Sequence, residues 1–87
     1  MRPPPKLNEA YLSEASVNYT ILYFYDVTSL MVSYTLKRFE ELLASNTAFV
    51  RIHKSYMVNK QYIAEVMPTN VLLHTGLLLP LARRRSV

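Results

Sequence analysis

A chain of 87 residues is long enough for one compact domain and too short for two. Hydrophobic residues make up 51% of it, which excludes a disordered tail, and the absence of cysteine excludes disulfides and thiolate metal sites. Ten Lys and Arg residues against six Asp and Glu residues give a net charge of +4, so the placement of the positive charges matters more than their excess.

The sequence offers no membrane or export segment. Its longest apolar stretch, residues 71–82, is interrupted by His74, Gly76 and Pro80 and is shorter than the roughly 20 residues that a membrane helix needs. The opening residues, MRPPPK, lack the apolar region of a signal peptide. We therefore expect a cytoplasmic protein that has no membrane partner.

The first part of the chain predicts a linker followed by a β-hairpin. Three consecutive prolines indicate a flexible, proline-rich start over residues 1–8, so the folded domain is expected over residues 9–87. Residues 19–25, YTILYFY, are β-branched and aromatic and predict a strand. Residues 26–29 predict a turn, and residues 30–34 predict a second strand that returns beside the first.

Residues 35–45, TLKRFEELLAS, predict a helix, because the spacing of their apolar residues changes from that of a strand to that of a helix. Thr35 is the expected N-cap. A helix this short must be held by packing against the sheet. The apolar stripe that would make this contact consists of Leu36, Phe39, Leu42 and Leu43. The opposite face, which we expect to be solvated, consists of Lys37, Arg38, Glu40 and Glu41.

Residues 49–53, FVRIH, alternate between apolar and polar side chains and predict another strand. A bend rich in hydrogen-bond donors follows at residues 53–55. Alternation places Arg51 and His53 on one face of the strand. The side chains that would anchor the bend to the core are Val50, Ile52, Met57 and Val58.

The rest of the chain predicts three more strands, at residues 61–67, 71–74 and 77–82, with turns at residues 68–70 and 75–76. Pro80 has no N–H to give to a neighbouring strand, so the last strand is expected at a sheet edge. The prediction is a mainly β domain of short antiparallel strands with one short α-helix.

Catalytic chemistry is not expected. The chain has two histidines, neither in a nucleophile motif, and its single glycine cannot form a phosphate-binding loop. His53 and His74 are far apart in sequence and have no cysteine nearby, which disfavours a zinc site. We predict no enzyme, no metal and no cofactor. His53 is expected to bond a neighbouring backbone group, and Asn59 is expected to cap a helix or a turn.

Exposed Arg and Lys side chains, interleaved with Asn and Tyr, suit phosphates and base edges. Residues 83–85, RRR, suit such contacts and equally suit a solvated basic tail. The residues alone therefore favour a binding protein, with phosphates and base edges as the leading ligands. The alternative is a non-catalytic protein-interaction module whose basic strip binds an acidic partner or an anionic membrane, because strand edges and the hydrophobic segment of residues 71–82 could also form an interface.

Three motifs in order resemble those of the LytTR family of bacterial DNA-binding domains. The run FVRIHKSYMVN (residues 49–59) with the following Ile63 is similar to the family signature. EASVNYT (residues 14–20) and LLLPLARRR (residues 77–85) are similar to its flanking motifs, and TLKRFEELL fits its helix. Val17 and Ala82 depart from the pattern, and Lys54 offers one donor group where an asparagine would offer a donor and an acceptor. Val17 replaces a frequent glycine and would stiffen its loop, and Ala82 replaces a frequent serine.

The resemblance implies short antiparallel strands arranged in small packed sheets. It also implies the sequence-specific DNA-binding domain of a bacterial transcriptional regulator of the two-component response-regulator type, which inserts loops into the major groove. Double-stranded DNA would be the partner, bound by two copies on repeated half-sites. An upstream receiver or sensor domain, which is common in the family, is not part of this sequence.

The resemblance further implies individual roles for residues near these motifs. The candidates for contacts with bases are Tyr19, Lys54 and Arg84. The candidates for contacts with phosphates are Asn18, Arg51, Ser55, Lys60, Arg83 and Arg85. If residues 83–85 are extended, alternation puts Arg84 on the side opposite to its two neighbours.

Overall fold

The computed structural model describes residues 9–25 and 28–87. The proline-rich start and two residues of the first predicted turn, Asp26 and Val27, lie outside the described residues. The elements run in chain order as β1 (Leu12–Ser16), β2 (Tyr19–Tyr23), β3 (Ser29–Val32), α1 (Leu36–Leu42), β4 (Phe49–His53), β5 (Tyr56–Asn59), β6 (Ile63–Val66), β7 (Asn70–Leu73) and β8 (Leu78–Pro80).

The strands form two antiparallel sheets. The larger sheet has the order β3-β2-β1-β5-β4, and the smaller has the order β6-β7-β8. The mainly β fold with a short helix is therefore confirmed, and so is the hairpin that β2 and β3 form. Among the described strands, β8 pairs with β7 alone, so Pro80 lies on an edge strand as its missing N–H predicts.

Strand β1 was not predicted as a strand, yet it is the central strand of the larger sheet. It pairs with β2 on one side and with β5 on the other. Its sequence, LSEAS, is rich in small and acidic residues, which have low β-propensity. Pairing on both sides outweighs this local preference. The small side chain of Ser13 is fully buried on the sheet, between its cross-strand neighbours Leu22 and Met57.

The core lies on both faces of the larger sheet. On one face, Leu36 and Phe39 of α1 pack with Leu22 and Met57. On the other face, a second cluster joins the two sheets: Leu12, Ile52, Val58, Val71, Leu73 and Leu79. Because side chains alternate along a strand, Met57 and the next residue of β5, Val58, point to opposite faces: Met57 lies in the first cluster and Val58 in the second. The domain thus has three layers, with the helix, the larger sheet and the smaller sheet in that order.

The helix begins as predicted, because the Thr35 side chain accepts a hydrogen bond from the backbone N–H of Arg38 at 3.2 Å. Leu36 and Phe39 are buried and Leu43 packs against them, but Leu42 is 47% exposed, so its predicted place in the apolar stripe is wrong. At about 100° per residue, Leu43 lies between Leu36 and Phe39 on the helix surface, whereas Leu42 lies beyond Phe39.

The predicted anchors of the donor-rich bend are confirmed. Ile52, Met57 and Val58 are buried, and Val50 is half-buried against the inter-sheet cluster. The strand predicted over residues 61–67 begins only at Ile63, because a 3-10 turn occupies Lys60–Tyr62. The Asn59 side chain caps this turn by accepting from the Gln61 N–H at 3.0 Å, which confirms its predicted role.

Candidate nucleic-acid interface

Three segments of the chain meet at one end of the larger sheet, which we call the basic end. They are the β1–β2 turn (Val17 and Asn18), the β4–β5 bend (residues 53–55) and the arginine turn (residues 82–85). The Ala15 N–H, in β1 just before the β1–β2 turn, donates to the Ser55 carbonyl at 2.9 Å and fastens the β4–β5 bend to β1. The Ala82 N–H donates to the Ile52 carbonyl at 2.8 Å and joins the third to edge strand β4.

The β4–β5 bend is shaped by a bulge. The register of β4 against β5 shifts between Arg51 and His53, so Ile52 is the extra residue. The His53 Nδ1 accepts from the Ser55 N–H at 3.1 Å, which confirms the expected structural role of this histidine. Lys54 is exposed at the tip, and its side chain has no partner among the residues that the structure describes.

The guanidinium of Arg51 donates hydrogen bonds to the backbone of the β4–β5 bend. Its Nε donates to the His53 carbonyl at 2.8 Å, and its Nη2 donates to the Lys54 carbonyl at 2.6 Å. Its Nη1 donates to Glu40 Oε1 on α1 at 2.9 Å. Only 11% of the Arg51 side chain is exposed. The predicted phosphate contact of Arg51 stays a prediction, and the observed contacts favour a role inside the domain.

The β1–β2 turn has two residues between the paired Ser16 and Tyr19. Val17, its first residue, has a φ of 54° and is 91% exposed. Positive φ at the first residue of such a turn is the conformation for which glycine is preferred. Val17 thus occupies a glycine position, as its departure from the family pattern suggested. Asn18 and Tyr19 are exposed beside it.

The arginine turn is not extended, so the predicted alternation of its side chains is wrong. The Arg85 N–H donates to the Ala82 carbonyl at 3.0 Å, which closes a turn with Arg83 and Arg84 at its centre. The Arg83 and Arg84 side chains are exposed and have no partner in the described part of the chain. The Arg85 guanidinium lies 4.0 Å from Glu40 Oε2.

Lys60 is the one predicted site residue that the fold keeps away from the basic end. It follows β5, whose other end joins the β4–β5 bend, and its backbone N–H donates to the Ala48 carbonyl just before β4. The length of β5 therefore separates Lys60 from Ser55.

Glu14 lies in β1 next to the basic end, and it accepts a hydrogen bond from the Tyr23 hydroxyl at 2.9 Å. Burial raises the pKa of Tyr23, and this hydrogen bond raises it further. Burial and the Glu14 carboxylate also raise the pKa of Tyr56, the first residue after the bend. Both hydroxyls therefore remain protonated at neutral pH, and the Tyr23 hydroxyl stays a donor to the carboxylate.

Glu40 is the residue that sequence reasoning missed. It was assigned to the solvated face of the helix, but its carboxylate contacts both Arg51 and Arg85. A signal was present in the helical spacing. At about 100° per residue, Glu40 lies only about 40° around the helix from the buried Leu36, on the flank of the packed face.

The sequence pattern of the LytTr DNA-binding domain matches residues 5–86. The protein is therefore a β-rich DNA-binding domain. It belongs to the LytTr family, as the three motifs predicted. The match begins inside the stretch predicted as a linker, and that boundary stays a prediction.

One similar solved structure is described as the LytTr DNA-binding domain of a methyl-accepting/DNA response regulator from Bacillus cereus. It has a TM-score of 0.81 and 24% sequence identity, over 95% of this chain and 79% of that chain. This likeness supports the fold. No curated protein matches the chain by sequence. Within residues 9–25 and 28–87, no helix is long and apolar enough to cross a membrane.

Proposed function

We propose that this chain is the sequence-specific DNA-binding domain of a bacterial transcriptional regulator of the response-regulator type, acting in the cytoplasm. The observation that carries the proposal is the meeting of three loops at the basic end, where the side chains of Lys54, Arg83 and Arg84 are exposed without partners among the described residues. Cationic side chains on closely spaced loops match the phosphates and base edges of duplex DNA.

The loops dock in the major groove. Neighbouring strands lie about 4.8 Å apart, so the β1–β2 turn and the β4–β5 bend are separated by about two strand spacings, or about 10 Å. The major groove of B-DNA is about 12 Å wide. Two loops this close can both enter one groove along its length, and the arginine turn beyond β4 reaches the groove edge or the adjoining backbone.

Bases are contacted by the side chains that project furthest from the basic end. Arg84 can give two parallel hydrogen bonds to guanine O6 and N7. Lys54 is a donor only and suits the same acceptors. Tyr19, which is 47% exposed, offers a hydroxyl and a ring edge beside the β1–β2 turn. These three residues determine which sequence is bound.

The residues that contact phosphates lie next to the three base-contacting residues. The set is Asn18, Ser55, Arg83 and Arg85. Lys60 and Arg51 are left out, because Lys60 lies at the far end of β5 and the guanidinium of Arg51 is engaged within the domain. Phosphate contacts fix the orientation of the domain on the duplex without selecting a sequence.

Two copies bind repeated half-sites. Three base-contacting side chains per copy, each worth about 1–3 kcal/mol of discrimination, give limited selectivity against a genome of competing sites. A second copy doubles the number of base contacts. A receiver or sensor domain elsewhere in the same regulator would control this assembly.

The test is a fluorescence anisotropy titration of the domain with genomic promoter fragments and with scrambled duplexes of equal length, at one salt concentration. Saturable binding that depends on sequence supports the proposal. Lys54→Ala should weaken this binding, whereas Lys60→Ala, with the same charge change at the other end of β5, should leave it unchanged.

The same titration tests the protein-interaction alternative. Much of the hydrophobic segment of residues 71–82 is used in the core, but Leu77 and Leu78 remain 42% and 54% exposed. Equal affinity for heparin, for anionic lipid vesicles and for every duplex would show that the basic end is a general anion-binding surface. Sequence-specific regulation would then be excluded.

A further inference from the structure

Glu40 of α1 lies between two segments of the basic end. Its Oε1 accepts from Arg51 Nη1 at 2.9 Å, and its Oε2 lies 4.0 Å from an Nη atom of Arg85. Arg51 in turn donates to the carbonyls of His53 and Lys54. A chain of contacts therefore runs from one carboxylate to the backbone of the β4–β5 bend and to the arginine turn.

These contacts differ from an ordinary surface ion pair. Arg51 uses all three nitrogens of its guanidinium, and its side chain is only 11% exposed, while Glu40 is 40% exposed. Hydrogen bonds that involve a charged group are shorter and stronger than neutral ones, and the planar guanidinium fixes their directions. Two of its acceptors are consecutive backbone carbonyls, so the position of Arg51 determines the shape of the bend.

We propose that Glu40 is a positioning residue for DNA recognition: through Arg51 and Arg85 it holds the β4–β5 bend and the arginine turn in one fixed arrangement. The inference rests on the proposed function. A loop that is already ordered loses less conformational freedom on binding, which increases affinity for the sequence that its geometry fits. Glu40 itself makes no contact with DNA.

The proposal and electrostatics alone predict opposite changes in DNA affinity when the charge of Glu40 is removed. A carboxylate close to bound DNA repels the phosphates, so removal of its charge should strengthen binding if charge were all that mattered. If Glu40 instead positions the two segments, removal of its charge weakens binding to the specific site. Binding to unrelated duplex, which does not need the precise arrangement of the loops, should change little.

The chain offers a matched control on the same helix. Glu41 carries the same charge and lies about 100° further around the helix. Among the described residues, its carboxylate contacts only Arg38, at 3.7 Å, and both side chains are more than half exposed. Glu40→Gln and Glu41→Gln therefore make the same change in net charge. Anisotropy titrations should show Glu40→Gln losing about three- to tenfold in affinity for the specific duplex. Glu41→Gln should bind as tightly as the wild type, or slightly more tightly.

A second variant addresses Arg51 while keeping the charge. Arg51→Lys retains one positive charge but loses the planar set of donors, so it should lower the ratio of specific to nonspecific affinity as Glu40→Gln does. Thermal melts establish that each variant is folded. If Glu40→Gln binds the specific duplex as well as Glu41→Gln does, Glu40 acts only through its charge and the proposal is wrong.

Amide hydrogen exchange without DNA separates this proposal from the proposed function. In Glu40→Gln, the amides of residues 53–55 and of Arg85 should exchange faster than in the wild type, and in Glu41→Gln they should not. Unchanged exchange at the bend would overturn the positioning role even if DNA binding is intact. A wild-type domain without sequence preference would overturn the proposed function instead, while the exchange data would still show whether Glu40 holds the bend.

Discussion

The backbone N–H of Ala82 donates to the carbonyl of Ile52 over 2.8 Å. Ile52 is the extra residue of the bulge in β4, and a bulged residue is left unpaired in the strand ladder. The irregularity that shapes the β4–β5 bend therefore also provides the acceptor that fastens the arginine turn. A single feature of β4 positions two of the three segments of the basic end.

The Ala82 hydrogen bond predicts a pattern of amide exchange. The amide of Ala82 should exchange more slowly than those of Arg83 and Arg84, which donate to no backbone group that the structure describes. Exchange followed by NMR at neutral pH is the measurement. Equal rates at all three amides would mean that the arginine turn is not fastened to β4 in solution.

Phe39 should be the main anchor of the helix. It is fully buried against the larger sheet, so Phe39→Ala should lower the free energy of unfolding by about 3–5 kcal/mol. Leu42→Ala serves as the control on the same helix, because Leu42 is 47% exposed, and it should cost well under half as much. Urea denaturation gives both values. A loss below about 1 kcal/mol for Phe39→Ala would show that the helix is peripheral to the core.

Val17→Gly should stabilise the domain. A residue with a side chain pays about 1–2 kcal/mol in the left-handed region, whereas glycine does not. Relief of this strain stabilises the folded state, but about 0.5–1 kcal/mol of the stabilisation is lost because glycine gives the unfolded chain more conformational freedom. Because Val17 is 91% exposed, little packing is lost, and a net gain of up to about 1.5 kcal/mol is expected. Val17→Ala keeps the Cβ atom and should gain less; a clear loss of stability in Val17→Gly would show that the turn is not strained.

Much of the fold could be predicted from local pattern. The β-branched and aromatic residues located β2, alternation located β4, helical spacing with Thr35 located α1, and the missing N–H of Pro80 located the edge strand. Strand β1 could not be found in this way, because Ser and Glu in LSEAS disfavour a strand unless neighbours pair on both sides.

Part of the candidate site could likewise be predicted from local sequence, and part of it depends on the tertiary structure. Local sequence gave the bend and the arginines, because the family motifs contain them. The curvature of the arginine turn could not be predicted, because it depends on the hydrogen bond from Arg85 to Ala82. The role of Glu40 depends on which face of α1 packs beside β4 and is a property of the tertiary structure.

The salt dependence of DNA binding measures how many cationic side chains replace the counterions of the duplex, and a cation at a base edge in the groove does so as well as one at a phosphate. Lys54 and the three arginines of the arginine turn, at about −0.9 each, should give a slope of log K against log[salt] near about −3.6. Lys54→Ala should make the slope flatter by about 0.9, and Lys60→Ala should not change it. A wild-type slope flatter than about −2 would mean that most of these side chains lie outside the interface.

The three consecutive arginines should not be equivalent. Arg83 and Arg84 occupy the two central positions of the arginine turn, and Arg85 leaves it on the side of Glu40. A guanidinium on guanine O6 and N7 selects a base, whereas a guanidinium on a phosphate does not. Loss of a base contact changes the sequence preference, whereas loss of a phosphate contact lowers the affinity for every sequence. The affinity for a single duplex therefore cannot distinguish the two roles.

Arg84→Ala should therefore cost about 1–3 kcal/mol on the specific duplex and relax the preference at one base position. Arg83→Ala should weaken all duplexes alike and leave the base preference unchanged. Arg85→Ala also removes the contact with Glu40, so it should weaken the specific duplex more than the other duplexes. The measurement is a panel of duplexes with single substitutions, titrated against the three variants at one fixed salt concentration. If all three lose affinity equally and retain the wild-type base preference, the arginine turn acts as a uniform patch of positive charge, and the base contact proposed for Arg84 is wrong.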